Sequence, residues 1–111
     1  MRMELNVSCI WTDMANIPAH RTGLNNDVYV STRVEKHKPQ MKVYSNKVGF
    51  PTVSLYLDKP YARCAGKKDL ISEKDLSLVR KWIDLNYDVL HDFWDNKYAY
   101  TEDFLADLKG I

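Results

Sequence analysis

The chain has 111 residues, 45% of them hydrophobic and 28% charged, with a formal net charge of +1. Those proportions fit one globular domain over 1–111 and exclude disorder along the whole chain. No apolar run approaches the ~20 residues of a membrane span, and Met1 to Val7 lacks the long apolar stretch of a signal peptide, so a cytoplasmic protein without membrane contact is expected.

Charge is unevenly placed. Up to Lys68 there are eleven basic and five acidic residues, net +6, whereas from Asp69 onward ten acids face five bases, net −5. Such asymmetry fits a polyanion partner, and more simply two halves that attract each other in the folded domain. Cys9 and Cys64 are the only cysteines and both lie in strand-like contexts. Small secreted domains are usually richer in cysteine, so two buried thiols in a reduced compartment are expected.

Glu4 to Trp11 alternates, with Leu5, Val7, Cys9 and Trp11 on one face, which is the period of a half-buried strand. Thr12 to Asn26 follows neither period and reads as a loop of about fifteen residues, long enough to be functional or to fold on binding. Asp27 to Glu35 is the clearest strand: Val28, Val30, Thr32 and Val34 alternate with Tyr29, Ser31 and Arg33. Lys36 to Gln40 turns the chain at Pro39, and Met41 to Asn46 begins the next strand with Met41 and Val43 inward.

Asn46-Lys47-Val48-Gly49 reads as a hairpin connection into Thr52 to Leu57, where Val53, Leu55 and Leu57 face inward. Asp58-Lys59-Pro60 is a turn, and Tyr61 to Ala65 is a short last strand ended by Gly66. The period then becomes helical. Ser72 precedes Asp75 by three residues, an approximate capping box, and Leu76, Val79, Ile83 and Leu90 recur at helical spacing with Trp82 and Leu85 widening the apolar face. Asn86-Tyr87-Asp88 is expected to bend or split the helix, because Asn and Asp compete for backbone hydrogen bonds. Thr101-Glu102-Asp103 is expected to cap a last turn carrying Phe104, Leu105 and Leu108, ended by Gly110. The fold class expected is α+β. A basic, strand-rich part (1–66) forms an antiparallel sheet of four or five short strands, and an acidic part (69–111) forms two or three helices packed on one of its faces.

Catalytic signatures are missing from the sequence. No Gly-x-Ser-x-Gly elbow, cysteine nucleophile signature, zinc spacing or phosphate-cradling glycine loop occurs, so no cofactor and no metal are expected and a non-enzymatic role is favoured. His20 and His37 lie in different loops, and a small hydrolase or nuclease would need them to converge. Asp84, Asp88, Asp92 and Asp95 recur at three- or four-residue spacing, as a solvated helix face does and as a cation site could. The most suggestive segment runs from Arg33 to Lys47. Arg33, Lys36, Lys38, Lys42 and Lys47 surround His37, Tyr29 and Tyr44, which together form the candidate binding surface. Lysines and arginines contact phosphates while exposed tyrosines stack on bases, but charged strand edges also prevent aggregation. Trp11, Tyr29, Tyr44 and Tyr56 are further sheet positions that could form a partner-binding patch.

Leu76-x-x-Val79-x-x-Trp82-Ile83-x-Leu85-Asn86-x-Asp88-x-Leu90-x-x-Phe93-Trp94, followed by Thr101-Glu102-Asp103-Phe104-Leu105, resembles the C-terminal half of the small bacterial domain-of-unknown-function family 4160. The resemblance covers roughly the last 40 residues well and the middle loosely. It implies short strands followed by a paired helical segment, and a bacterial or phage interaction protein in a toxin–antitoxin or anti-defence setting. Where that family carries Pro-Pro-His-Phe-His-Val, this chain reads Lys38-Pro39-Gln40-Met41-Lys42-Val43, so any role of the two family histidines does not carry over. Two partner classes are therefore expected: a protein, including a second copy of the chain, and nucleic acid bound through the basic sheet and the Lys36 to Lys42 turn.

Overall fold

The computed structural model describes residues 14–33 and 37–111. The strand expected over Glu4 to Trp11, and with it Cys9 and Trp11, lies outside the described residues, as do Val34, Glu35 and Lys36. The elements run β1 (Met14–Ile17), α1 (Ala19–Thr22), β2 (Val28–Ser31), β3 (Gln40–Tyr44), β4 (Thr52–Tyr56), β5 (Arg63–Ala65), α2 (Glu73–Leu85), α3 (Tyr87–Trp94) and α4 (Thr101–Asp107). The five strands pair antiparallel in chain order, β1-β2-β3-β4-β5, and the longer C-terminal helices follow them, an α+β arrangement.

Register follows from alternation. Ala15↔Val30, Ile17↔Val28, Val28↔Val43, Val43↔Val53 and Met41↔Leu55 are direct pairs, and all of these side chains are buried. A one-residue slip would turn this whole apolar set outward, so the pattern pins the pairing. Onto this inner face pack Leu76, Val79, Trp82 and Ile83 of α2, Leu90 and Phe93 of α3, and Phe104 of α4. Phe93 stacks on Phe104 with ring centroids 4.0 Å apart. Each such side chain contributes about 1.5–3 kcal/mol on burial, and a 13-residue helix such as α2 needs that contribution because it is marginal alone.

Three local expectations are corrected. The loop expected over Thr12 to Asn26 contains β1 and α1. Four residues of alternation are too few to stand out, and α1 is a single turn that follows Pro18, its extended N-cap. The last strand begins at Arg63 rather than Tyr61, because Tyr61 adopts a φ of +59° in the left-handed region and turns its ring inward. Leu85 does not join the core; it is 48% exposed at the end of α2.

Helix ends follow local chemistry in part. The Ser72 hydroxyl accepts the Asp75 N–H at 3.1 Å, one half of the capping box. The Asp75 carboxylate accepts instead from the Asn25 side chain at 2.9 Å, tying α2 to the segment before β2. The helix splits at Asn86, a buried amide that donates to Trp82 O at 3.0 Å and Lys109 O at 2.9 Å and accepts the Lys109 N–H at 2.7 Å. Thr101 is the first residue of α4 rather than its cap, since Tyr100 holds the cap position and no side chain bonds there. Gly110 lies beyond the helix end, close against α1: a Cβ on it would meet the Arg21 and Thr22 carbonyls at 3.3 Å. Ile111 N–H then donates to Thr22 O at 2.7 Å.

Candidate functional site

The alternation that buries one face of the sheet sends the other set of side chains outward. At the outward positions of β1 to β4 stand Met14, Asn16, Tyr29, Ser31, Gln40, Lys42, Tyr44, Thr52, Ser54 and Tyr56. None is an Asp or Glu, and Met14 is the only aliphatic-type side chain among them. Asn16 pairs with Tyr29, Tyr29 with Lys42, Lys42 with Ser54, and Gln40 with Tyr56. The three tyrosines therefore cross adjacent strands on one surface, each half-buried.

Polar contacts hold this surface in place. The Tyr44 hydroxyl, on β3, donates to Asn16 Oδ1, on β1, at 3.1 Å, reaching across β2. The Cys64 thiol donates to Gln40 Oε1 at 3.0 Å, and burial pushes that free thiol above its usual range. The Tyr29 phenol is also raised, first by burial and then by Tyr44 beside it. Lys42 Nζ lies 5.7 Å from the centre of the Tyr29 ring and Lys38 Nζ 5.8 Å from that of Tyr56. At exposed sites such contacts contribute only ~0.5–1 kcal/mol, less than the ~1–3 kcal/mol of a stacked base. Neither lysine has a carboxylate partner among the described residues.

Two clefts open on this face, one beside Tyr44 and one beside Tyr29. One, of about 560 Å³, is lined by Asn16, Pro18, Asp27, Tyr44, Asn46 and Phe50 among others. The other, of about 380 Å³, is lined by Met14, Tyr29, Ser31, His37, Gln40, Met41, Lys42 and Trp94. Asp27, the acid at the first cleft, accepts the Ala19 N–H at 2.7 Å.

Of the surface expected from sequence, Tyr29, His37, Lys38, Lys42 and Tyr44 come together on or beside this face. Arg33 and Lys47 do not. Arg33 pairs with Asp95 at 2.8 Å while its N–H donates to Trp94 O, joining the end of β2 to the end of α3. Lys47 sits in the β3–β4 turn and reaches the Asp69 carbonyl at 3.5 Å. Lys36 lies outside the described residues. Tyr56, Gln40 and Asn16 belong to the face as well; strand alternation places all three, but only Tyr56 stands out by residue type.

The other constellations separate. His20 is on α1, past the Ile17↔Val28 end of the sheet, whereas His37 precedes Gln40 at the other end of β3, so the two occupy opposite ends of the sheet. Asp84, Asp92 and Asp95 are individually engaged, by Tyr61 and Lys59, by Lys97 and by Arg33. Among the described residues no three His, Cys, Asp or Glu side chains could hold a metal ion, and no helix is long and apolar enough to cross a membrane.

A second polar cluster ties the β4–β5 turn to the helices. His91 Nε2 faces Asp58 Oδ1 at 3.0 Å and His91 Nδ1 faces Tyr87 O at 2.9 Å, so both ring nitrogens meet acceptors. Tyr87 donates to Asp58 at 3.2 Å and Tyr61 donates to Asp84 at 2.7 Å. The Tyr61 bond, then Lys59, holds the Asp84 carboxyl below the usual carboxylate range. Arg80 Nε donates to Tyr61 O at 3.0 Å. Every group here has a partner within the fold, which marks the cluster as a clamp between the basic and acidic parts. No protein-family model, curated protein or solved structure matches the chain.

Proposed function

We propose that this chain is a small non-enzymatic binding protein of the cytoplasm that engages another macromolecule through the outer face of its sheet. The observation that carries the reading is the composition of that face: Tyr29, Tyr44 and Tyr56 on three adjacent strands around Lys42, no strand-borne carboxylate, and no helix packed over it among the described residues. Tyrosines present large area at low entropic cost and recur at recognition surfaces. The charge asymmetry supports the same reading. Arg33 and Lys59 spend their charge on Asp95 and Asp84, which leaves Lys38 and Lys42 available to a partner. The resemblance to family 4160 suggests a toxin–antitoxin or phage setting for it.

The test is capture from host lysate by the tagged chain and by a Tyr29→Ala/Lys42→Glu variant, with thermal melts confirming that both fold. A partner held by the parent and lost by the variant supports the reading. A partner held equally by both places the functional surface elsewhere.

A further inference from the structure

The chemistry of the outer face identifies its ligand more closely. We infer that it binds single-stranded nucleic acid, with bases stacked on Tyr29, Tyr44 and Tyr56 and phosphates held by Lys38 and Lys42; this inference rests on the binding-face reading above.

Three observations select that ligand. The first is charge: the outward positions of β1 to β4 hold a lysine and no carboxylate, and among the described residues Lys38 and Lys42 rest only over tyrosine rings. A phosphate draws each ammonium away from its ring, and a base then takes the vacated ring face, a net gain because stacking outweighs an exposed cation–π contact. The second is polarity. Protein interfaces bury an apolar centre depleted in lysine, whereas the middle of this face is Lys42, flanked by Tyr29, Ser54 and Gln40. With Asn16 Oδ1 and Gln40 Oε1 engaged by Tyr44 and Cys64, the Asn16 amide nitrogen and the Ser31 hydroxyl supply the polar contacts for base edges beside the rings. The third is shape. A broad sheet face cannot enter the major groove, which admits a helix or a two-stranded ribbon, but it can carry splayed bases, as sheet-based single-strand binders do. Clefts beside two of the rings, one lined by Tyr44, Asp27 and Phe50 and the other by Tyr29 and His37, leave room for bases to splay there.

The experiment uses the full chain and fluorescently labelled oligonucleotides, single-stranded DNA, single-stranded RNA and duplex DNA, read by anisotropy over a salt series. Single strands are expected to bind more tightly than duplex, and preference for RNA or DNA assigns the sugar. Tyr29→Ala is expected to weaken binding about tenfold while Tyr29→Phe retains it. Lys38→Gln and Lys42→Gln are each expected to flatten the slope of log K against log salt by about 0.7. Equal or tighter duplex binding, or single-strand affinity indifferent to both tyrosine and lysine substitution, overturns the inference. If no oligonucleotide binds while Tyr29→Ala/Lys42→Glu still abolishes capture of a protein, the nucleic-acid assignment falls and the binding face stands. If that variant changes nothing in either assay, both fall.

Discussion

Asn86 offers the sharpest test of how the helical part is held. Its amide makes three hydrogen bonds, to Trp82 O, Lys109 O and Lys109 N, and is 2% exposed. In Asn86→Ala all three vanish. At about 1 kcal/mol net per bond the loss is ~3 kcal/mol. Three effects reduce it. Trp82 O keeps the Asn86 backbone N–H at 3.1 Å and is not orphaned, and Ala is a better helix former by roughly 0.5–0.7 kcal/mol. Lys109 is exposed, so water can reach its freed backbone groups. The expected net cost is therefore about 2 kcal/mol, or a fall in Tm of about 8 °C at ~4 °C per kcal/mol for a chain this size. Urea denaturation and a thermal melt measure it. Native-state hydrogen exchange adds a local readout: the Lys109 and Ile111 amides should lose protection beyond the global change, because the clamp seats the tail that reaches Thr22. A destabilisation below ~0.5 kcal/mol, or unchanged protection at Lys109, would refute the reasoning.

Other perturbations have equally definite outcomes. Trp82 Nε1 is buried with no hydrogen-bond partner among the described residues, so Trp82→Phe, which removes that donor along with part of the ring, should cost ~1 kcal/mol or less against the ~3–5 kcal/mol typical of truncating a buried Trp to Ala; a loss above 3 kcal/mol by urea denaturation contradicts it. Ser72→Ala removes the α2 cap and should cost about 1 kcal/mol, with Ser72→Asp restoring it. Burial and the bond it donates to Asp107 push the Tyr98 phenol up to about 12 from 10.0. A raised folded-state value means the stability it contributes is complete below pH 10 and is lost as pH climbs toward 12. Denaturant midpoints across that window should fall less steeply in Tyr98→Phe, and an unchanged slope argues against the Asp107 bond.

Much of this architecture was legible in the residue pattern. Val28, Val30, Met41, Val43, Val53 and Leu55 are inward in the sequence by period and inward in the fold, because side chains on a strand must alternate. Leu76, Val79 and Ile83 mark α2 for the corresponding helical reason, and Asn86 announces the break by its capacity to bond backbone groups. The tyrosines and Lys42 of the candidate face follow from the same alternation read on its other phase. β1 and α1 were not legible, since four-residue elements carry too little periodicity to rise above a loop rich in Asn.

What only the tertiary structure decided is the fate of each charge. Arg33 and Lys42 look alike in the sequence, both basic and both near β-strand tyrosines. Arg33 meets Asp95, 62 residues away, because α3 ends beside β2, while Lys42 points to the face that no helix among the described residues covers. In the same way Asp84 and Asp95 read as members of one helical stripe, yet one answers Tyr61 and Lys59 and the other Arg33. Alternation is a local property of the backbone and can be read from neighbours in the chain. Charge pairing depends on which distant element packs within a few ångströms, and that is settled only when the sheet and helices bury their apolar faces together.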